Sequence, residues 1–191
     1  MITSHKIQKT YRYGDPGSPV AVLTLASDYE KFDVHGYAII GSCFTENLGV
    51  QLVITSVLKS TAIRYLIMCG RESAHGAGEA FFYLHEYGVA RLGTYRKVIG
   101  CKSLLPYIDD IPDWAIDEYR DNVILVDMRG VEDIAAIQAK IDECIAEHNK
   151  SPATRVPMDT GMPEIDEFTW RKYACIVEAE MKNKLTGKVI K

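Results

Sequence analysis

Three glycine-bearing turns hold the residues of this chain best suited to chemistry. The first, Gly41-Ser42-Cys43-Phe44-Thr45-Glu46-Asn47-Leu48-Gly49, combines small residues, which let a ligand approach the backbone, with Thr45, placed to cap a following helix. Its amides would favour an anionic or amide-bearing group. The second, Gly70-Arg71-Glu72-Ser73-Ala74-His75-Gly76-Ala77-Gly78-Glu79, sets one imidazole beside two glycines that leave space around it without side chains. The third is Gly100-Cys101-Lys102-Ser103-Leu104-Leu105-Pro106. A Cys43 thiolate assisted by His75 is one chemistry these turns could support, since a helix N-terminus acidifies a thiol, but no partner acid is identifiable.

Each residue also has a plainer reading. Glycine-rich turns between strand and helix often serve only as tight connections, and this fits Gly41 to Gly49 equally well. His85 precedes Gly88 at a helix end, where the dipole favours it, and His5, His35 and His148 are isolated and read as surface residues. No two histidines have metal-ligand spacing such as HxxxH. The turn around His75 is not GxGxxG, and GxxxxGK[ST] is absent, so no nucleotide signature is present.

The elements that position these turns follow from apolar patterning. Val20 to Leu25 is a nearly continuous apolar run behind the breaker cluster Gly14 to Pro19, and reads as a buried strand. Tyr37 to Ile40, Ile63 to Cys69 and Val123 to Asp127 read likewise, with Lys97 to Ile99 as a weaker fifth. Between them, Leu48, Leu52, Val53 and Val57 share one helical face, and Phe81, Leu84 and His85 another, closed by Gly88. Asp133 to Asn149 carries Ile134, Ile137, Ile141 and Ile145 on one stripe.

Strands alternating with helices predict an α/β fold, a Rossmann-like parallel sheet with helices on both faces, over residues 18–149. Residues 1–17 read as an N-terminal extension. Residues 150–191, punctuated by Pro152, Pro157, Gly161 and Pro163, read as a linker and C-terminal arm with one helix over Phe168 to Met181. Ligands of such folds bind at the carboxyl ends of the strands, so the three turns should converge there.

Composition narrows the function classes. The chain has 191 residues, 47% hydrophobic and 25% charged, with net charge −4, enough to bury a core without disulfides or structural metal. That balance offers no footprint for nucleic acid. Cys43, Cys69, Cys101, Cys144 and Cys175 are scattered and unpaired by spacing, which suggests a reducing cytoplasm. No apolar run approaches the ~20 residues of a membrane span, and no secretory signal is readable.

Several blocks, in order, resemble a known family. Gly41 to Gly49, then Ile63-Arg64-Tyr65-Leu66, His75-Gly76-Ala77-Gly78, Leu84-His85-Glu86-Tyr87-Gly88-Val89, and Val126-Asp127-Met128 through Glu143-Cys144-Ile145 are similar to the corrinoid-binding A subunit of tetrahydromethanopterin S-methyltransferase. The resemblance covers about residues 20–149. It implies a cytoplasmic methyl carrier holding a cobalamin over its strand ends, with His75, in the family's His-x-x-Gly pattern with Gly78, as axial cobalt ligand. It further implies a role in one-carbon metabolism linked to methanogenesis, and a partner that is a pterin-dependent methyltransferase of the H-subunit kind. On this reading Ser42, Cys43, Glu46, Asn47, Gly70, Gly76, Gly78, Leu105 and Pro106 line the cofactor site.

Neutral imidazole is a good cobalt ligand, and small neighbours would let the flat corrin approach. The sequence departs from the family at Phe44, where a basic residue is usual, in a loop one residue shorter between Gly70 and His75, and in a polar C-terminal tail where the family has a membrane anchor. A soluble member without that anchor is expected. Two rivals stay open: a cofactor-free binding or regulatory module of a methyltransferase, and a Cys43-dependent small-molecule enzyme. The methyl donor and acceptor, and whether the chain forms a homo-oligomer, are likewise open.

Overall fold

The computed structural model describes residues 10–162, which form one compact unit. The helix expected over Phe168 to Met181 and the first nine residues lie outside the described residues. In chain order the elements are β1 (Tyr11–Tyr13), β2 (Val20–Leu23), β3 (Ile39–Gly41), α1 (Leu48–Lys59), β4 (Tyr65–Met68), α2 (Ala77–Tyr87), β5 (Val89–Leu92), β6 (Tyr95–Val98), α3 (Asp113–Asn122), β7 (Ile124–Asp127) and α4 (Ile134–Lys150). The main sheet has the order β1-β3-β2-β4-β7. All its pairings are parallel except β1 with β3.

The α/β architecture expected from the sequence is therefore present, with a mixed sheet. β2 lies near its middle because Val-Ala-Val-Leu can be buried on both faces. Val20, Val22, Ile40, Ile67 and Cys69 face a core closed by Tyr29, Phe32, Val34 and Tyr37 from the β2–β3 connection and by Ile137, Ile141 and Cys144 of α4. Their strand neighbours Ala21, Leu23, Leu66 and Met68 point the other way by pleat alternation, to the face where α1, α2 and α3 pack together.

Four details differ from the sequence expectation. β1, inside the expected extension, joins the sheet at Gly41; a Cβ there would stand 2.6 Å from that of Tyr11, so glycine permits the pairing. Lys97 and Val98 belong to β6, which pairs with β5 as an antiparallel hairpin separate from the main sheet. Of the face expected from Leu48, Leu52, Val53 and Val57, Val57 is buried, and the rest of the buried apolar stripe of α1 is Val50, Ile54 and Leu58. α3 has no counterpart in the sequence expectation because its core contribution is only Ala115, Ile116 and Tyr119 among polar residues.

The compact unit also reaches past residue 149. The Arg155 side chain donates to the carbonyls of Ser60 and Val57 at the end of α1, Met158 N–H donates to Leu58 O, and Thr160 hydrogen-bonds Thr55. Among the described residues no helix is long and apolar enough to cross a membrane.

Candidate functional site

His75 stands on the loop between β4 and α2, and the chain fixes that loop from both ends. Gly70 turns with φ +75° against the end of β2, where a Cβ would lie 2.2 Å from Thr24 O, so only glycine lets the two strand ends cross. The crossing is stitched by Ala26 N–H to Arg71 O at 3.0 Å and Arg71 N–H to Ser27 Oγ at 2.9 Å. At the other end α2 begins on Gly76, a left-handed N-cap that has no side chain to receive the first amides. Glu72 and Ser73 supply acceptors instead. Glu72 Oε1 accepts from Ser73 and Gly78 N–H, Glu72 Oε2 from Glu79 N–H, and Ser73 Oγ from Ala77 N–H, all at 2.7–2.9 Å. The anion-attracting end of α2 is thus filled by the protein's own carboxylate.

Glu46 approaches from the turn after β3. Its side chain is only 3% exposed, yet one oxygen, Oε1, accepts the Leu105 N–H at 3.0 Å while Oε2 lies 3.8 Å from His75 Nδ1. The imidazole itself is 56% exposed. From the third turn, Ser103 Oγ donates to Gly76 O at 3.0 Å and Lys102 N–H to Glu79 Oε1 at 3.2 Å. The three turns do meet, although the third arrives from the hairpin of β5 and β6 and not from the edge of the main sheet.

The remaining residues expected to line a cofactor site divide by what they touch. Ser42 donates to Ser27 O at 2.8 Å and shares a hydrogen bond with Thr24, inside the strand-end network. Asn47 caps α1, accepting from Leu48 N–H at 2.6 Å. Pro106 is buried and its carbonyl accepts from Val98 N–H at 2.9 Å. The space in front of the glycines is taken by protein: a Cβ at Gly76 would meet Ser103 Oγ at 2.5 Å, and one at Gly78 would meet Glu72 Oε2 at 2.6 Å and Leu25 Cδ1 at 2.8 Å. These glycines serve the packing of the loop, where an open cradle was expected.

Cys43 is buried at 3% exposure, its Sγ–H directed at Thr45 O at 3.6 Å, and burial pushes its thiol up to about 12. A thiol in that state is neither ionised near neutrality nor reachable, which removes the physical basis for a Cys43 nucleophile. Leu25, just beyond β2, holds the one positive φ among the described non-glycine residues, +50°, with a fully buried side chain and its carbonyl accepting from Cys43 N–H at 3.0 Å. Such strain persists only where packing over-determines the backbone.

The roles of Glu72 and Ser103 are not among the sequence expectations. A signal for Glu72 exists in the sequence: a helix opening on glycine needs acceptors from upstream, and Glu72 and Ser73 are the polar residues standing there.

Residues 4–164 match the MtrA family model, which describes the A subunit of tetrahydromethanopterin S-methyltransferase. The chain belongs to this family. Among its relatives in Methanothermobacter marburgensis, the A subunit numbered 1 is 37% identical over 181 residues, covering 91% of this chain and 75% of the relative. The A subunit numbered 2 of the same organism is 41% identical over 150 residues, covering 78% and 80%. Its counterpart numbered 2 in Methanobrevibacter ruminantium is 37% identical over 175 residues, covering 91% and 88%. All three turns of the site fall inside the segment matched to the family.

Proposed function

We propose that this chain is a corrinoid-binding methyl carrier, acting in transfer of a methyl group from a methylated pterin or similar donor to an acceptor, with His75 as the residue that would hold the cobalt. The observation that carries the reading is the His75 imidazole itself: half-exposed beside the strand ends, with a buried carboxylate facing Nδ1, so that Nε2 is the nitrogen left for a ligand. The names of the relatives supply the methyl-transfer context.

The donor set suits a corrinoid. Among the described residues no three histidine, cysteine, aspartate or glutamate side chains gather as a metal site. A lone imidazole fits a metal whose other positions are filled by its own macrocycle. When bound, the corrinoid supplies a cobalt centre that can accept and release a methyl group. The chain's own residues perform simpler tasks. His75 would donate its Nε2 lone pair, Glu46 would hold the far side of the ring, and Glu72 with Ser73 would keep the loop rigid. Phe44 and Leu104, exposed apolar residues near Glu46 and Leu105 in the chain, would offer flat apolar contact. Donor and acceptor chemistry would be brought by a separate pterin-dependent methyltransferase, to which an exposed site is accessible.

Ultraviolet-visible titration with cobalamin tests this. The unaltered protein should bind and shift the corrin band, and His75→Ala should lose the shift while keeping the circular dichroism of the folded chain. Absence of binding by the unaltered protein, or an identical shift in His75→Ala, would overturn the assignment.

A further inference from the structure

We propose that the outer face of the β5–β6 hairpin is the surface on which this chain docks a protein partner, and that the partner meets it with apolar side chains bordered by carboxylates. The partner's identity, the methyltransferase with which the methyl group is exchanged, rests on the carrier reading; the surface does not.

The hairpin is built inside out. Directly paired residues of antiparallel strands share a face, so Arg91 with Arg96 and Val89 with Val98 occupy one side, and Ala90 with Lys97 and Leu92 with Tyr95 the other. The first side is packed on the body of the protein. Arg96 and Val98 are buried, both arginines bind the Asp113 carboxylate at the start of α3, and Arg96 also donates to Ile111 O. Ile99 and Tyr107 belong with the second side: Ile99 continues the alternation of β6 by donating to Gly88 O, and Tyr107 pairs with Lys97. A sheet with one covered face ordinarily turns apolar residues inward and polar ones to water. Here the arginines are inside, each needing an acid partner, while Leu92 and Tyr95 are 54% exposed and Ile99 42%. Tyr95 also packs edge-on to Tyr107, with ring centroids 5.9 Å apart, so the two rings extend one apolar surface.

Charge and size select the occupant. From Gly88 to Ile108 the chain carries four basic residues and no acidic one, in a protein of net charge −4. Arg91 and Arg96 are matched internally, whereas Lys97 and Lys102 make no ion pair among the described residues. Lys97 stands among Ala90, Tyr95, Ile99 and Tyr107, and a cation so placed calls for a carboxylate on whatever covers it. The face measures a few hundred Å², a size at which an apolar patch marks an interaction site, and is well short of the ~800 Å² per partner of a standard stable interface. It suits a complex that forms and dissociates, not a permanent second copy. A carrier requires such a complex, since it must leave its partner after each transfer. β6 runs directly into the turn whose Ser103 and Leu105 bind the His75 loop and Glu46, so a partner seated on the hairpin borders the site.

The test uses as probe a purified pterin-dependent methyltransferase of the H-subunit kind from the same organism, with hydrogen-exchange footprinting and equilibrium titration against the full chain. Exchange over residues 89–107 should slow in the mixture. Leu92→Asp should weaken association at least about tenfold, and Lys97→Glu about tenfold, the latter through a slower association rate that loses its salt dependence. Lys140→Glu, an equal charge change on α4, should bind as the unaltered chain does. Both hairpin substitutions lie on the outer side and should keep the circular dichroism of the folded chain; should one fail to fold, the other carries the test. No association with the unaltered chain, a footprint elsewhere, or undiminished binding by the folded hairpin variants would overturn the proposal. So would a stable dimer in sedimentation that Leu92→Asp dissociates, which gives the face to a second copy. Cobalamin titration separates this from the carrier reading. Hairpin-dependent association by a chain that binds no cobalamin leaves the docking surface standing and the carrier reading fallen, and cobalamin binding without association does the reverse.

Discussion

Cys43 and His75 occupy neighbouring strand-end turns, and solvent access separates their chemistry. The imidazole is half-exposed, whereas the thiol is buried beneath its own turn. Burial raises Cys43 and Cys69 from 9.0 to about 12, and raises the Tyr119 hydroxyl as well. A group whose pKa is higher folded than unfolded contributes stability that is intact below the unfolded value and lost as pH climbs toward the folded one. The chain should therefore hold its stability up to about pH 9 and lose it progressively between 9 and 12. Urea unfolding at about pH 8 and about pH 10.5 reads this as a lower midpoint at the higher pH. Iodoacetamide mapping gives the companion result: Cys43 should label readily only after unfolding, and rapid labelling of the native protein would contradict its burial.

At the scale of elements, the loop before α2 shows how a helix without an N-cap side chain is started. Gly76 is glycine because its φ is +71° and because Ser103 fills the position a Cβ would need. Glu72 then accepts the three amides of Ser73, Gly78 and Glu79. Glu72→Ala should cost about 0.5–2 kcal/mol, the range for losing a capping side chain. Hydrogen exchange over residues 73–79 should quicken at the same time, and Glu72→Gln, which keeps one acceptor oxygen but puts an N–H2 group in place of the other, should lose less. An unchanged unfolding midpoint and unchanged exchange in Glu72→Ala would show that the loop does not depend on this carboxylate. The strands β2, β3, β4 and β7 and the helix α4 were legible because apolar runs and a 3.6-residue stripe report burial directly. β1, β5 and α3 were not, since Tyr-Arg-Tyr, Val-Ala-Arg-Leu and the polar sequence of α3 bury little and form through long-range pairing or a few contacts. His75 and the meeting of the turns could be anticipated, but the Glu46 partnership depends on a contact across 59 residues that no local pattern encodes.

At the scale of the whole molecule, the segment after α4 behaves as part of the fold. Pro152 and Pro157 mark it as irregular in sequence, yet irregular chain can still be tied down by its polar groups. Arg155 donates to Ser60 O and to Val57 O at the C-terminus of α1, where Val57 O also accepts the Ser60 N–H. Its guanidinium pKa falls to about 10, first through burial and then through the nearby Arg64 charge, so the anchor itself carries a desolvation cost. Burial of Met162 at 5% exposure and the hydroxyl bond of Thr160 to Thr55 offset that cost. A chain cut after Lys150 should thus be less stable than one cut after Met162 by about 2–4 kcal/mol, from one buried apolar side chain and several hydrogen bonds. Urea unfolding of the two chains measures the difference directly, and amide exchange at the end of α1 should rise only in the shorter one. Equal midpoints would mean that the segment merely lies against α1, and the fold would then be complete at residue 150.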